Sequence, residues 1–352
     1  MLEPNIPTIS TEELFALDGE SRLELYLRTE QSQLAVEKIA RLTGDASTRQ
    51  YFRLYTPDQT LIAAIYQTGF DAVEHPFCVV NNLFATAQLP VPAIIAASGD
   101  FGIILLEDLG DLRLQDWLQT ALPEQYRSAY CEAIDLIFGI QAATPHAIEI
   151  NCCAAQLAFD EAKLMWELEF FYKHYFQGYL QLLLPTMREA ALMAELREIA
   201  STLAARPRLL CHRDFHSRNL MLWQGRQYII DHQDARMGPQ SYDLASLLRD
   251  PYVALDEEMI AELYHYFVTT CRQQGATAAW EVEMRSEFEL MTVQRVVKAI
   301  GTYAYQTTVM KNNVYVPYIP RAVTTALAAA ERLGQFPELR TLLAEQARAV
   351  AI

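Results

Sequence analysis

The stretch from residue 208 to residue 243 constrains the fold of this chain more than any other. It reads RLLCHRDFHSRNLMLWQGRQYIIDHQDARMGPQSYD and contains two short apolar runs, at 220–223 and 228–230, with Gly225 between them. Two such runs around a glycine predict a β-hairpin with a tight turn. Functional side chains are often found on the loops that a rigid scaffold of this kind holds in place. The loops at the ends of the predicted hairpin carry Asp214, Asn219 and Asp231.

The spacing of these polar residues carries chemical information. His212-Arg213-Asp214 followed by Asn219 reproduces H-R-D-x-x-x-x-N, the catalytic loop of protein kinases, and Asp231 follows the second run. An aspartate at that position can accept the proton of an attacking hydroxyl group. Amide and carboxylate oxygens suit Mg²⁺, which usually keeps one or two carboxylates, several waters and the substrate phosphates. We therefore predict Asp214 as the catalytic residue and Asn219 and Asp231 as metal ligands.

The amino-acid sequence of this stretch resembles that of a known superfamily. The chain reads IDHQDA at 230–235 and GPQSYDLASLLRD at 238–250. These strings resemble the aminoglycoside phosphotransferase and choline kinase superfamily. Together with HRDFHSRNLML at 212–222, they look closest to the anomeric N-acetylmuramate/N-acetylglucosamine kinases of peptidoglycan recycling. The superfamily match spans most of the chain, whereas the match to this branch rests mainly on the one stretch.

The resemblance implies a fold and an activity. The implied fold is α+β, bilobal and protein-kinase-like, with a small antiparallel-sheet lobe at 1–108 and a larger, mainly helical lobe at 109–352. The implied activity is ATP- and Mg²⁺-dependent phosphorylation of the C1 hydroxyl of N-acetylmuramate, N-acetylglucosamine or both. Two alternatives stay open. One is a kinase of another small alcohol, an aminoglycoside or a choline-like acceptor, and the other is a pseudokinase that binds nucleotide without catalysis.

The region before the lobe boundary is expected to hold the nucleotide. Three strands are predicted between residues 36 and 66, and the loop between the first two reads TGDASTR at 43–49. Its small residues would expose backbone N–H groups to phosphate. The residues expected to contact the nucleotide there are Gly44, Ser47, Thr48 and Arg49. Farther along, the segment 107–110 is predicted to be the hinge, where Glu107 and Leu109 are expected to contact the nucleotide.

One position departs from the kinase pattern. The third strand of a kinase carries a lysine that pairs with the α- and β-phosphates, but residues 61–66 contain none. Lys38 is the only lysine before residue 160. Arg49 and Arg53 are the candidates to replace it, since equal parity along a strand makes their side chains project from one face. The missing lysine argues for a pseudokinase, but the intact Asp214, Asn219 and Asp231 argue against it more strongly.

The acceptor and the loop itself are predicted to use further residues. Arg218, Gln233 and Asp234 are expected to contact the substrate. His212 and Arg213 are expected to hold the catalytic loop, and the resemblance implies that Asp243 braces it. Arg295 and Lys298, on a predicted helix at 277–309, are expected either to face a carboxylate of the substrate or to form surface salt bridges. The acidic and aromatic helix predicted at 157–183 is interpreted mainly as an amphipathic core helix.

Composition excludes several classes of partner. The chain has 352 residues and a net charge of −16, which argues against nucleic acid and anionic membranes because both require a basic surface. No window approaches the roughly 18 apolar residues of a membrane span, and the N-terminal segment has no apolar core typical of a signal peptide. The six cysteines form no C-x-x-C pair, so we expect buried thiols in a reducing cytoplasm. Protein partners are not predicted.

Overall fold

The computed structural model describes residues 10–42 and 49–350. The chain divides into two compact units, residues 1–112 with 221–233 and residues 113–220 with 234–352. The lobe boundary predicted at 108/109 lies near the first crossing. The hairpin segment 221–233, however, returns to the first unit, whereas the sequence-based division had left it in the second lobe. Backbone hydrogen bonds explain why this segment belongs to the first unit, because the N–H of Leu222 donates to the carbonyl of Leu112 and the N–H of Ile229 donates to the carbonyl of Pro90.

The first unit contains an antiparallel sheet of five strands in the order β1-β2-β3-β5-β4, with two short helices before it and one helix inserted. In chain order the elements are α1 Thr11–Ala16, α2 Gly19–Thr29, β1 Lys38–Leu42, β2 Gln50–Tyr55, β3 Thr60–Ile65, α3 Pro76–Thr86, β4 Ile94–Ser98 and β5 Ile103–Glu107. α1 and α2 are separate helices, because Asp18 caps a new helix that begins at Gly19.

Both faces of this sheet are covered, which explains why its central strands read as continuous apolar runs. Ile103 and Leu105 of β5 pack in the cluster that includes α2, whereas Ile104 and Leu106 pack with Phe77 of α3. Alternate residues of a strand point to opposite faces, so a strand between two helices is apolar throughout. Helix α3 begins at Pro76, since proline favours the first helical position, and Glu74 lies exposed in the preceding turn.

The second unit is mainly helical. Its elements before the hairpin are α4 Leu114–Leu118, α5 Pro123–Ala142, α6 Thr144–Glu149, α7 Cys153–Gln156, α8 Glu161–Phe171, a π-helix Tyr172–Tyr179, α9 Thr186–Ala204, β6 Arg208–Cys211 and a 3₁₀ turn Ser217–Asn219. The hairpin consists of β7 Leu220–Trp223 and β8 Arg226–Ile229. After it come β9 Arg236–Pro239, α10 Tyr242–Leu248, α11 Glu257–Gln273, α12 Ala278–Thr308, a 3₁₀ helix Asn313–Tyr318, α13 Ile319–Leu333 and α14 Pro337–Val350. The predicted α+β, protein-kinase-like fold class is confirmed.

Helix α12 organises the second unit. It runs for 31 residues and packs against α8, the π-helix, α10 and α13. Gly301 permits one of these contacts, because a Cβ there would lie 2.6 Å from the Phe171 Cα atom. The long helix predicted at 157–183 is divided at this place, since α8 ends at Phe171 and the chain continues as the π-helix. Within the described residues, no helix combines the length and the apolar composition that crossing a bilayer requires.

Candidate active site

The predicted catalytic loop lies between β6 and the 3₁₀ turn and is held by a buried carboxylate. Asp243, in the first turn of α10, accepts hydrogen bonds from the backbone N–H groups of His212 at 2.7 Å and of Arg213 at 3.1 Å. Arg213 has a φ of 87°, which a residue with a side chain adopts only at an energetic cost. Ser217 donates to Asp250 through both its backbone N–H and its hydroxyl. These bonds hold the loop that was predicted to carry the catalytic aspartate.

Asp214 lies among three cations. Its Oδ1 is 3.1 Å from Lys298 Nζ and 3.4 Å from Arg295 Nη1, and its Oδ2 is 3.7 Å from Arg213 Nε. Burial by itself would raise the pKa of Asp214, but Lys298, Arg213 and Arg295 hold it well below its usual range. The carboxylate is therefore ionised at neutral pH. Its side chain stays 28% exposed, so a hydroxyl group can approach it.

Arg295 and Lys298 do not form the surface salt bridges that were one of the two roles expected from the sequence. Both side chains are largely buried, and both contact the carboxylate of Asp214, the predicted catalytic residue. Arg295 also donates to the Tyr242 hydroxyl at 3.3 Å and to the Ser246 hydroxyl at 2.8 Å. The three-residue spacing places the two cations on one face of a helix. It does not reveal which partner that face meets, so the contact with Asp214 was missed.

Asn219 lies at the end of the 3₁₀ turn with its amide oriented by the loop. Its Nδ2 donates to the backbone oxygen of Asp214 at 2.9 Å. Within the part of the chain that the structure describes, the amide oxygen accepts no hydrogen bond. The side chain therefore presents a neutral oxygen donor from the second unit.

Asp231 follows β8 in the first unit and has a φ of 61°, in the left-handed region. Its Oδ1 accepts hydrogen bonds from Arg49 Nη2 at 3.0 Å and from Gln233 Nε2 at 2.9 Å. His232, the next residue, is fully buried and stacks on Phe77 with ring centroids 4.8 Å apart. The carboxylate of Asp231 itself is 43% exposed, and its Oδ2 has no hydrogen-bond partner among residues 10–42 and 49–350.

The donor types of these two residues fit Mg²⁺. An amide oxygen and a carboxylate oxygen are hard ligands, and Mg²⁺ normally completes its octahedral shell with waters and phosphates rather than with protein side chains. The described residues contain no group of three or more His, Cys, Asp or Glu side chains placed to hold a metal. Asn219 and Asp231 belong to different units.

The residues predicted to contact the nucleotide have different surroundings. Gly44, Ser47 and Thr48 lie outside the described residues. The Glu107 carboxylate accepts a hydrogen bond from the backbone N–H of Ala93 at 3.1 Å, and Leu109 is buried.

The two arginines proposed to replace the missing lysine have different partners. Arg53 forms ion pairs with Asp108 at 2.6 Å and with Asp111 at 2.9 Å, so its guanidinium is committed to the first unit. Arg49 instead pairs with Asp231, the predicted metal ligand. Of the two, only Arg49 is paired with a carboxylate assigned to the site.

Arg218 lies in a cage of tyrosines that was not foreseen from the sequence. Its guanidinium lies 3.8 Å from the ring centroid of Tyr252, and its Nη2 donates to the Tyr318 hydroxyl at 3.2 Å. Its Nε donates to Gln115 at 2.8 Å. Tyr315 also lies near this guanidinium and stacks on Tyr303. The tyrosines come from the 3₁₀ helix, α12 and the segment after α10, so no local spacing relates them to the catalytic loop.

The other two residues predicted to contact the acceptor, Gln233 and Asp234, both participate in hydrogen bonds or ion pairs. Gln233 donates to Asp231 in the first unit, as described above. Asp234, in the second unit, pairs with Arg213 at 3.0 Å and with Arg236 at 3.7 Å, and its side chain is 49% exposed. Arg213 therefore joins Asp214 to Asp234.

Comparisons with known proteins identify the family. Residues 38–280 match the model of the phosphotransferase enzyme family, APH. The N-acetylmuramate/N-acetylglucosamine kinase of Neisseria meningitidis serogroup B is 29% identical over 308 residues, which cover 86% of this chain and 88% of that protein. The kinase of the same name from Pseudomonas aeruginosa is also 29% identical, over 91% of this chain and 92% of that protein.

A solved structure supports the same fold. A choline/ethanolamine kinase family protein from Mesorhizobium loti superposes with a TM-score of 0.59 at 15% identity, covering 92% of this chain and 98% of that one. Its low identity makes it an argument for the fold alone. The family match, the catalytic-loop motif and the fold agree, and the resemblance predicted from the sequence is confirmed. The chain belongs to the phosphotransferase enzyme family, and it is an enzyme that transfers a phosphoryl group.

Proposed function

We propose that this enzyme uses ATP and Mg²⁺ to phosphorylate the C1 hydroxyl of N-acetylmuramate, N-acetylglucosamine or both. The observation that carries the proposal is an ionised Asp214, held by three cations on a braced loop of a phosphotransferase. The choice of acceptor is supported by the names of the two relatives described above, which align with most of this chain. The ATP requirement and the six free cysteines favour a cytoplasmic location.

In the proposed mechanism Asp214 accepts a hydrogen bond from the acceptor hydroxyl and directs its oxygen toward the γ-phosphorus. Phosphoryl transfer requires alignment and charge neutralisation from the protein rather than covalent chemistry. A carboxylate with a depressed pKa stays ionised and can accept a hydrogen bond, but it is a weak base, so alignment is its main contribution. The proton of the hydroxyl leaves late, toward Asp214, as the bond to phosphorus forms.

We assign the remaining site residues by their chemistry. Asn219 and Asp231 would bind Mg²⁺, which neutralises charge on the phosphates when it is bound. Arg49 would contribute to phosphate binding from its place beside Asp231. Gly44, Ser47 and Thr48 are proposed to cover the phosphates, and the backbone near Glu107 and Leu109 is proposed to contact adenine.

The acceptor is proposed to contact Gln233, Asp234 and Arg218. The tyrosine cage already holds the guanidinium of Arg218, so a quaternary ammonium such as choline would have to compete with a cation of the chain itself. Arg213, Arg295 and Lys298 around Asp214 also disfavour a polycationic aminoglycoside, because like charges repel. Both observations favour a neutral or anionic sugar.

ADP release with N-acetylmuramate, N-acetylglucosamine, kanamycin and choline, assayed in parallel with MgATP, tests the proposal. The wild type is expected to turn over one or both amino sugars, with loss of the reducing end of the product. Asp214→Ala is expected to lose nearly all of this activity. Release with kanamycin or choline alone would instead identify the alternative acceptor. Nucleotide binding without turnover of any acceptor would support a pseudokinase.

A further inference from the structure

Lys298 has hydrogen-bonding capacity that Asp214 does not use. Its Nζ lies 3.1 Å from Asp214 Oδ1, and within the described residues this is its only hydrogen-bond partner. An ammonium group has three donors, so further N–H groups remain for a ligand. The side chain is only 16% exposed, and α12 holds it in place. A largely buried ammonium with unused donors at a catalytic carboxylate is poorly explained as a simple ion pair.

The surrounding cluster carries more positive than negative charge. Ion pairs connect four cations to two carboxylates, and a third carboxylate accepts a hydrogen bond from the backbone of Arg213, which leaves an excess of one positive charge in a chain whose net charge is −16. The cations are Arg213, Arg236, Arg295 and Lys298, and the carboxylates are Asp214, Asp234 and Asp243. A local excess of positive charge concentrates anions. Unless an anion joins them, the cations of this cluster repel one another without full compensation.

The position of Lys298 indicates which anionic group would bind to these cations. A hydroxyl that Asp214 aligns lies roughly 2.6–3.2 Å from the carboxylate, and its oxygen lies roughly 3–3.5 Å from phosphorus before transfer. The ammonium is 3.1 Å from the same carboxylate oxygen. The Lys298 ammonium contacts Asp214 Oδ1 directly, and the phosphoryl group would be separated from the Asp214 carboxylate only by the aligned hydroxyl. Both groups are therefore expected close to Asp214, whereas the distance from Asp214 to a substituent elsewhere on the acceptor is not fixed in this way.

We propose that Lys298 is a further catalytic residue, which donates a hydrogen bond to an equatorial oxygen of the phosphoryl group during transfer. This inference rests on the proposed function, in which Asp214 aligns the attacking hydroxyl. In the step, the hydroxyl oxygen bonds to the γ-phosphorus and the bond to the β-phosphate oxygen breaks. ADP leaves with that electron pair, and the proton of the hydroxyl passes to Asp214. Lys298 keeps its proton and stabilises the charge on the phosphoryl oxygens.

Three variants separate this role from a purely structural one. Lys298→Met removes the charge at similar length, Lys298→Arg keeps the charge, and Lys173→Met removes a charge from an exposed lysine of the π-helix as a control. We expect Lys298→Met to lower kcat about 10²- to 10³-fold, the cost of removing one donor to a transition-state oxyanion. KM for the acceptor is expected to change little. Lys298→Arg is expected to recover part of kcat, and Lys173→Met to resemble the wild type.

A binding measurement without turnover gives the second readout. Titration calorimetry compares MgADP with MgADP plus fluoroaluminate, which imitates the phosphoryl group in transfer, and no sugar is needed. The wild type and Lys173→Met are expected to bind the fluoroaluminate complex more tightly than MgADP alone. Lys298→Met is expected to lose this gain while keeping its affinity for MgADP, and circular dichroism confirms that it is folded.

The results of these experiments on Lys298 can be distinguished from the results of the ADP-release assay that tests the acceptor. If Lys298→Met lowers kcat but keeps the gain from fluoroaluminate, Lys298 only positions Asp214 and the proposal is overturned. A wild type without any gain from fluoroaluminate overturns it as well. If the gain depends on Lys298 but no amino sugar is phosphorylated, the acceptor assignment fails and the role of Lys298 stands.

Discussion

Asp243 Oδ2 accepts a 2.7 Å hydrogen bond from the backbone N–H of His212, and its Oδ1 accepts one from the next residue, Arg213. One buried carboxylate thus satisfies two successive donors of the catalytic loop. It also stabilises the left-handed conformation at Arg213, from which Asp214 follows.

Replacing this carboxylate with an amide tests the brace. In Asp243→Asn one oxygen becomes an NH₂ group, so one buried N–H group faces another donor. Leaving a buried donor unsatisfied costs about 1–3 kcal/mol. We expect the free energy of unfolding to fall by that amount and kcat to fall at least tenfold, measured by urea denaturation and by ADP release. Asp100→Asn, at an exposed turn, is the control. Wild-type kcat in Asp243→Asn would contradict the role of the brace.

Gly301→Ala tests how α12 places its cations. The added Cβ would lie 2.6 Å from the Phe171 Cα atom, so a helix backbone has to move. Overpacking of this kind costs about 1–3 kcal/mol. Because Lys298 lies one turn earlier on the same helix, kcat is also expected to fall. Gly178→Ala is the matched control, since a Cβ there has its nearest contact at 3.5 Å. Equal stability of the two variants, measured by thermal unfolding, would refute the close approach.

Arg53→Met tests the assignment of Arg53 as a structural residue. The change removes the partner of Asp108, whose side chain is 4% exposed, and breaking a buried pair destabilises by about 3–5 kcal/mol. Asp111→Asn removes the other partner of Arg53. It is expected to cost no more than about 1 kcal/mol, because the Asp111 side chain is 81% exposed. Denaturant titration measures both values.

Arg49→Met is the functional counterpart of Arg53→Met. Because Arg49 lies beside Asp231, we expect KM for ATP to rise about tenfold, the loss of one charge-assisted hydrogen bond. Its loss of stability is expected to be smaller than that of Arg53→Met. If Arg53→Met rather than Arg49→Met raises KM for ATP, the two roles are interchanged.

The lowered pKa values of two histidines predict that the free energy of unfolding decreases in mild acid. Burial lowers the pKa of His75, with a further effect of Arg49, and burial also lowers the pKa of His174. Below the unfolded pKa of about 6.5 the unfolded chain binds protons that the folded chain does not. The free energy of unfolding should therefore decrease as the pH falls from about 7 toward 5.

A variant isolates the contribution of His75. This side chain packs against the rings of Phe70 and Tyr66, at 4.3 Å and 4.7 Å between centroids, so phenylalanine can replace it. His75→Phe is expected to show a shallower decrease between pH 7 and pH 5 in urea denaturation. A slope equal to that of the wild type would show that His75 does not contribute.

The sequence by itself determined the local parts of this protein. The five-residue step from Asp214 to Asn219 and the hairpin follow from patterns within a few dozen residues, where spacing and turn chemistry decide the structure. The class of fold was implied by the family resemblance. The family resemblance rests on the same local strings. The roles of the site residues remain predictions.

Only the tertiary structure decided which distant groups meet. Lys298 contacts Asp214 across 84 positions and Arg49 contacts Asp231 across 182, and no local pattern encodes such pairs. They follow from packing: Gly301 lets α12 lie against α8, and the hairpin hydrogen-bonds to the first unit. Helical spacing showed that Arg295 and Lys298 share a face, but the element that this face meets is decided by how the whole core is filled.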